Sequence, residues 1–211
     1  MFAYCGNNPA TTEDPSGHIM RNTNLMMTDG PGANPINAYR YHRYAAVHYA
    51  RQYYKYPNYD YPYYANGDCT NFVSQCVHEG GGLPQTDEWS IKEGGALKHI
   101  LAYLVFGKTY KWSPSNAWSV ASENYKYMTE TLGYTHVDIF SISEIAGAVN
   151  SSHIQVGDLI YFESETGINH AAIITKVSNG KIYYTQHTGN KADAPLVSMG
   201  DYCALHIVIM E

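Results

Sequence analysis

A cysteine stands where a helix is predicted to begin, in the stretch Gly67-Asp-Cys-Thr-Asn-Phe-Val-Ser-Gln-Cys76. Asp68 is a residue type that favours the N-cap, which makes Cys69 the first helical residue. Apolar residues then recur on one helix face, at positions 69, 72, 73, 76 and 77. The free N–H groups and the dipole of a helix start favour a thiolate and can hold an oxyanion. This pattern predicts Cys69 as a nucleophile toward a carbonyl carbon.

A free cysteine is more often only a small buried hydrophobic residue, which is our prediction for Cys76. The choice for Cys69 depends on partners elsewhere in the chain. Two apolar runs, at 170–177 and 181–187, flank Asn179-Gly180, and this dipeptide between apolar strands strongly predicts a β-hairpin. The first strand begins with His170, a general base that Cys69 requires.

The predicted hairpin register selects a third polar residue beside His170. A regular ladder places Ala172 opposite His187, so that His170 and His187 lie on one face as diagonal neighbours. This register predicts that His187 rather than Gln186 orients His170. A bulge near the strand end would reverse that choice, and Asn190 is a further alternative.

The elements that must position these residues can be read from periodicity and from proline and glycine. A strand is predicted at 158–162, in addition to the hairpin strands. The segment Tyr53–Tyr64 contains two prolines and is predicted to be an extended aromatic loop that either lines a substrate cleft or only seals the helix pair. Predicted helices cover 37–54, 69–77, 96–106, 115–132 and 143–150, and predicted substrate-binding residues are Tyr63, Tyr64, Asp68, Trp89 and Asn169.

Composition limits the function classes. The chain has 211 residues, a formal charge of -6 and only 13 Lys and Arg, which disfavours nucleic acid as a partner. Its four cysteines show no short paired spacing, so neither a zinc site nor another cofactor is expected. Without a predicted signal peptide or membrane span, the expectations are no membrane partner and a cytoplasmic location. Residues 1–36 are predicted to be an irregular arm, and 37–211 one domain.

The motifs resemble one family of cysteine enzymes. Tyr39-Arg-Tyr-His-Arg-Tyr-Ala-Ala-Val-His-Tyr-Ala50, the Cys69 stretch, Gly157-Asp-Leu-Ile160, His170-Ala-Ala-Ile-Ile-Thr175 and Gln186-His-Thr188 are similar to the putative amidase domain family, which belongs to the papain-like and NlpC/P60-like cysteine peptidases. The resemblance implies an α+β fold in which N-terminal helices, including the nucleophile helix, pack on an antiparallel sheet. It also implies Cys69 as nucleophile, His170 as base and a polar third residue.

Three functions are consistent with this resemblance. The first is acyl transfer through a thioester on Cys69 to a small amine, with the acyl donor carried on a protein thiol, as in peptide-like natural-product biosynthesis. The second is hydrolysis of amide bonds, for example in peptidoglycan peptides. The third is a binding domain without catalysis. Tyr63 occupies the place of a papain-type oxyanion glutamine, so the oxyanion is assigned to the Cys69 backbone N–H.

Overall fold

The computed structural model describes residues 40–93 and 112–211, and the predicted arm at 1–36 and helix at 96–106 lie outside these ranges. Within them, no helix is long and apolar enough to cross a membrane. The helices are α1 (Arg43–Tyr53), α2 (Cys69–Gln75), α3 (Asn116–Ser119), α4 (Ala121–Lys126) and α5 (Ile145–Ser151). The strands are β1 (Ile91–Glu93), β2 (Trp112–Pro114), β3 (His136–Ile139), β4 (Leu159–Ser164), β5 (Gly167–Ser178), β6 (Lys181–Gln186), β7 (Lys191–Pro195) and β8 (Ala204–Val208).

Six strands form an antiparallel sheet in the order β3-β8-β4-β5-β6-β7. Alternate side chains of its central strands enter two separate apolar cores. Leu159 and Ile173 face the core shared with α1 to α4, whereas Ile160 and Ile174 face the core closed by α5. The predicted combination of helices with an antiparallel sheet is confirmed.

Helices α1 and α2 pack at very short distance where two glycines end the π-helical turn Cys76–Gly80 that extends α2. A Cβ atom on Gly80 would lie 2.7 Å from the Ala46 Cα, and one on Gly81 would lie 2.2 Å from the Tyr41 Cε2. Both positions therefore require glycine. This contact fixes α2, and with it Cys69, against α1.

The predicted hairpin is present, but its ladder contains a bulge. Asn179 and Gly180 adopt the positive φ angles of a two-residue turn, and Ser178 pairs with Lys181 as predicted. Between Ile174 and Lys176 the register shifts, because Thr175 is an extra residue without a partner of its own on β6. All pairs beyond Thr175 are displaced by one residue.

Several element boundaries differ from the predictions. Helix α1 begins at Arg43, since residues 40–42 are not helical, although the sequence predicts a start near Asn37. The predicted helix 115–132 is divided at Val120, where the backbone is extended. Strands β3, β7 and β8 were not predicted, because each is short and occupies four or five residues without a strong turn signal.

Candidate active site

Cys69 is the first residue of α2 and is buried, with 7% of its surface exposed. The Asp68 carboxylate does not cap the helix, although its residue type predicted a cap. It turns back instead and accepts the Tyr64 N–H at 2.9 Å and the Asn71 side-chain N–H at 2.9 Å. Among the described residues, the Cys69 N–H has no hydrogen-bond acceptor, so it remains available to an oxyanion.

His170 is held on β5 directly after a second bulge, in which Asn169 has no partner on β4. Its ring packs against Phe162, with centroids 5.2 Å apart. Burial alone would lower the pKa of His170, but its hydrogen bond to Cys69, the thiolate charge and Gln186 together raise that pKa. These contacts favour the imidazolium form beside a thiolate.

The pKa of the Cys69 thiol is shifted in the opposite direction to that of His170. Burial alone would raise its pKa, but the hydrogen bond and charge of His170, the Ala171 backbone and the Thr70 hydroxyl together lower it below its ordinary value. Cys76 shows the contrast, because burial raises the pKa of its thiol well above the ordinary value. The two cysteines of α2 therefore differ strongly in nucleophilic character.

Gln186 holds His170 in a defined tautomer. The Gln186 Nε2 donates to the Thr188 carbonyl at 2.8 Å, so its Oε1 is the atom that lies 2.8 Å from the His170 Nε2. Because this oxygen only accepts, the His170 Nε2 carries a proton and leaves Nδ1 for the thiol. This tautomer is the one that a general base for the Cys69 thiol needs.

The prediction that His187 shares a face with His170 is wrong. The Thr175 bulge displaces the register, so that Ile173 pairs with Thr185, and continuing this register places Gln186 beside Ala172. Gln186 consequently takes the position next to His170, which is the reversal that a bulge was expected to produce. Asn190 is exposed in the turn after β6.

His187 instead forms a buried pair with Asp68. Its Nδ1 lies 2.5 Å from the Asp68 Oδ2, and its Nε2 donates to the Tyr53 carbonyl at 2.8 Å. The ring stacks on Phe72, with centroids 4.0 Å apart, and 2% of its surface is exposed. Since one proton must lie between Nδ1 and the carboxylate, the pair carries no net charge.

Thr188 connects both histidine contacts and was not predicted. Its hydroxyl accepts the Asp68 N–H at 3.2 Å, and its carbonyl accepts the Gln186 amide. Thr188, Gly189 and Asn190 have φ angles of +60°, +96° and +41°. A positive φ is uncommon for Thr188, because its side chain is β-branched. The Gly189-Asn190 pair is a turn signal in the sequence, but it does not reveal these hydrogen bonds.

The five predicted substrate-binding residues separate into two groups. Asp68 and Trp89 are buried, with 1% and 0% of their surface exposed, and the Trp89 indole donates to the Ser74 hydroxyl at 3.0 Å. Tyr63 is 45% exposed and its ring edge lies against His187, and Tyr64 is half-buried. Asn169 is exposed and donates to the Ser164 hydroxyl at 2.7 Å.

Other reactive side chains offer no alternative centre in residues 40–93 and 112–211. No three His, Cys, Asp or Glu side chains there are placed to bind a metal ion together. Cys203 is exposed and its thiol contacts the Glu163 carbonyl. Cys69, His170 and Gln186, the candidate nucleophile, the candidate base and the acceptor for the base's second nitrogen, thus lie together at the start of α2.

A protein-family model matches most of the chain. Residues 40–209 match the model of a family described as "Putative amidase domain". The chain belongs to this family. Its description indicates chemistry at amide bonds and an enzyme rather than a passive module. The matched range contains every residue of the site described above.

Relatives add no further function. The uncharacterized protein YjcM of Bacillus subtilis (strain 168) is 28% identical over 164 residues. The match covers 74% of this chain and 32% of YjcM, so the chain spans about a third of the length of the curated relative that it matches. No solved structure matches the chain.

Proposed function

We propose that this chain is a cysteine acyltransferase of papain-like or NlpC/P60-like type, which passes an acyl group from Cys69 to an amine. The observation that carries the proposal is the tautomer of His170. Gln186 holds the proton on Nε2, and Nδ1 is therefore the nitrogen that exchanges a proton with the Cys69 thiol. Cys69 and His170 are the proposed catalytic residues, and Gln186 positions His170.

In the first half-reaction, His170 takes the thiol proton and the Cys69 sulfur attacks the acyl carbonyl carbon. The new C–S bond places negative charge on the carbonyl oxygen, which the Cys69 N–H at the start of α2 can hold. Collapse breaks the bond to the leaving group, and His170 returns the proton to that group. The product is an acyl thioester on Cys69.

In the second half-reaction, an amine attacks the thioester carbonyl carbon. His170 removes a proton from the attacking nitrogen, the C–S bond breaks and Cys69 leaves as a thiolate beside the imidazolium. One amide forms and one thioester is consumed, so no oxidant or energy source is required. If the acyl donor is itself a carrier-protein thioester, the carbonyl carbon is an activated thioester carbon both when Cys69 attacks it and when the amine attacks it.

The burial of the site supports an amine acceptor over water. Cys69, His170 and Gln186 each have less than a tenth of their surface exposed, and a dry site slows hydrolysis of the thioester. The chain also resembles the cysteine-protease-like amide-forming enzyme of closthioamide biosynthesis, whose acceptor is a small diamine. Hydrolysis of amides is the second candidate, because the family description names an amidase.

Intact mass spectrometry tests the proposal. Wild type and Cys69→Ala are incubated with acyl thioesters and with peptides, with and without a small diamine. We expect an acyl adduct on wild type only, released as the amide when diamine is present. Formation of free acid at one rate regardless of amine would establish the hydrolase instead. Absence of any adduct from the whole panel would contradict both enzymes and leave the binding domain.

A further inference from the structure

We propose that the buried Asp68–His187 pair, held by Thr188, is the positioning element that sets the Cys69 thiolate against His170. The inference rests on the proposed function of Cys69, but it concerns residues other than the proposed catalytic residues Cys69 and His170. Three observations support it: the neutral charge of the pair, its connections and the strained turn that holds it.

The charge of the pair matters because Asp68 is the neighbour of Cys69 in the chain. A carboxylate without a proton partner at a helix start would oppose a thiolate on the next residue. The proton between Asp68 and His187 cancels the negative charge of the carboxylate. Both side chains are buried, so water does not compete for their hydrogen bond. His187 thus neutralises the charge of the aspartate that precedes Cys69.

The connections of the pair join all segments that bear on the site. Asp68 contacts the aromatic loop through Tyr64 N–H and contacts α2 through Asn71. His187 contacts the end of α1 through the Tyr53 carbonyl and follows Gln186 directly on the chain. Movement of His187 would therefore displace the base support and the nucleophile helix together.

Thr188 is the strained residue that keeps this arrangement. Its φ of +60° is unfavourable for a β-branched side chain, yet it allows the hydroxyl to accept the Asp68 N–H while the carbonyl accepts Gln186. Thr188 thus contacts both Gln186, which positions His170, and Asp68, which precedes Cys69. Strain of this kind persists only where surrounding contacts impose it.

The test measures alkylation of Cys69 by iodoacetamide as a function of pH, which requires no knowledge of the substrate. Among the described residues, the charged or titratable groups near Cys69 include His170 on β5, the Asp68–His187 pair and Tyr202 before β8, and Lys191 acts on His170. Tyr63 and Tyr64 of the aromatic loop lie against the buried pair. All measurements use the full chain, and rates are divided by the amount of folded protein. Loss of folded protein alone then leaves the rate unchanged.

Two substitutions of Asp68 separate geometry from charge. In Asp68→Asn, the amide can donate to a neutral His187 while its oxygen keeps the Tyr64 and Asn71 contacts, so we expect a pH profile close to wild type. Asp68→Ala removes these contacts, and we expect alkylation at pH 6 to fall by about tenfold as Cys69 leaves His170. Equal profiles for Asp68→Asn, Asp68→Ala and wild type would overturn the proposal.

Substitution of His187 tests the charge directly. His187→Asn keeps a donor near the Nδ1 position but leaves Asp68 ionised, so we expect the acid limb of alkylation to move up by about one pH unit. Asp68→Asn/His187→Asn, which has no carboxylate, is expected to return the limb toward wild type. His206→Asn is the control, because His206, like His187, contacts a carboxylate through Nδ1, that of Asp138, and its Nε2 contacts Glu163. A shift in His206→Asn equal to that in His187→Asn would refute the assignment.

Thr188 provides variants that do not disturb the buried pair itself. Thr188→Ser retains the hydroxyl, whereas Thr188→Val removes it and keeps the same branching, so the backbone strain is matched. We expect Thr188→Val to lower the alkylation rate at pH 6 several-fold and Thr188→Ser to remain within twofold of wild type. The opposite order would contradict the role of the hydroxyl. If no variant or wild type forms an acyl adduct, the proposed function fails while these alkylation results still stand.

Discussion

The Gln186 Oε1 accepts a 2.8 Å hydrogen bond from the His170 Nε2, and this bond fixes which nitrogen can act as base. The amide cannot rotate without losing its contact with the Thr188 carbonyl. His170 therefore has one available lone pair in its neutral form, on Nδ1. Gln186 thus maintains the tautomer in which Nδ1 of His170, the proposed base, can accept the proton of Cys69, the proposed nucleophile.

Removal of this hydrogen bond should change the pH dependence of the reaction. Gln186 raises the pKa of His170, so Gln186→Ala should lower it and move the alkaline limb of kcat/KM to lower pH. Gln186→Glu places a negative charge there and should move the same limb to higher pH. Titration of the His170 ring by NMR measures the pKa independently of substrate. An alkaline limb at one pH in wild type and both variants would contradict the role of Gln186.

The turn between β5 and β6 is confirmed, and the register that placed His187 beside His170 is wrong, while Cys69 as nucleophile and His170 as base stay predictions from the sequence. The reason for the wrong register is local: one unpaired residue, Thr175, exchanges Gln186 for His187 beside His170. Nothing in the alternation of the strands announces this bulge. Thr175 is stabilised by tertiary contacts, a 3.0 Å hydrogen bond to the Thr185 hydroxyl and a bond from Arg51 to its carbonyl.

The three cysteines of residues 40–93 and 112–211 should react in a defined order. Hydrogen bonding to His170 lowers the pKa of Cys69 despite its burial, whereas burial raises the pKa of Cys76 well above its ordinary value. At pH 6, iodoacetamide should therefore modify Cys69 first, then the exposed Cys203, and leave Cys76 unmodified until the protein unfolds. Peptide mapping measures the order, and His170→Ala should abolish the preference for Cys69. Early modification of Cys76 would contradict it.

The α1–α2 contact should not accept a methyl group. Gly80→Ala would place a Cβ 2.7 Å from the Ala46 Cα, and because that atom belongs to the backbone we expect a loss of about 1–3 kcal/mol. Gly147→Ala is the control, since nothing lies within 4 Å of its Cβ in α5, and it should gain about 0.5–1 kcal/mol. Urea unfolding gives both free energies. Equal effects of the two substitutions would show that α1 and α2 do not meet here.

Trp89 shows how composition can mislead a prediction of substrate contact. An aromatic residue in a polar loop resembles a cleft residue, but only the tertiary structure shows that Trp89 packs on Trp118, with centroids 4.9 Å apart. Its indole N–H bonds the Ser74 hydroxyl, so both halves of the side chain have partners in the core. The sequence predicted the helix that carries Ser74, but Ser74 is not on the predicted apolar face, so neither its burial nor its partner was predicted.

Trp89 and Tyr63 should therefore differ in what their substitution changes. Trp89→Phe leaves a cavity and removes one of the hydrogen bonds of the Ser74 hydroxyl, which keeps Trp118 and Asn124 as partners. We therefore expect the free energy of unfolding to fall by about 1–3 kcal/mol without a change in KM. Tyr63→Leu alters an exposed ring beside His187, so we expect a higher KM and a change in stability within about 0.5 kcal/mol. Urea unfolding and steady-state kinetics on both variants measure this difference. A raised KM in Trp89→Phe at unchanged stability would return Trp89 to the substrate cleft, because a residue of the core affects binding only through the fold.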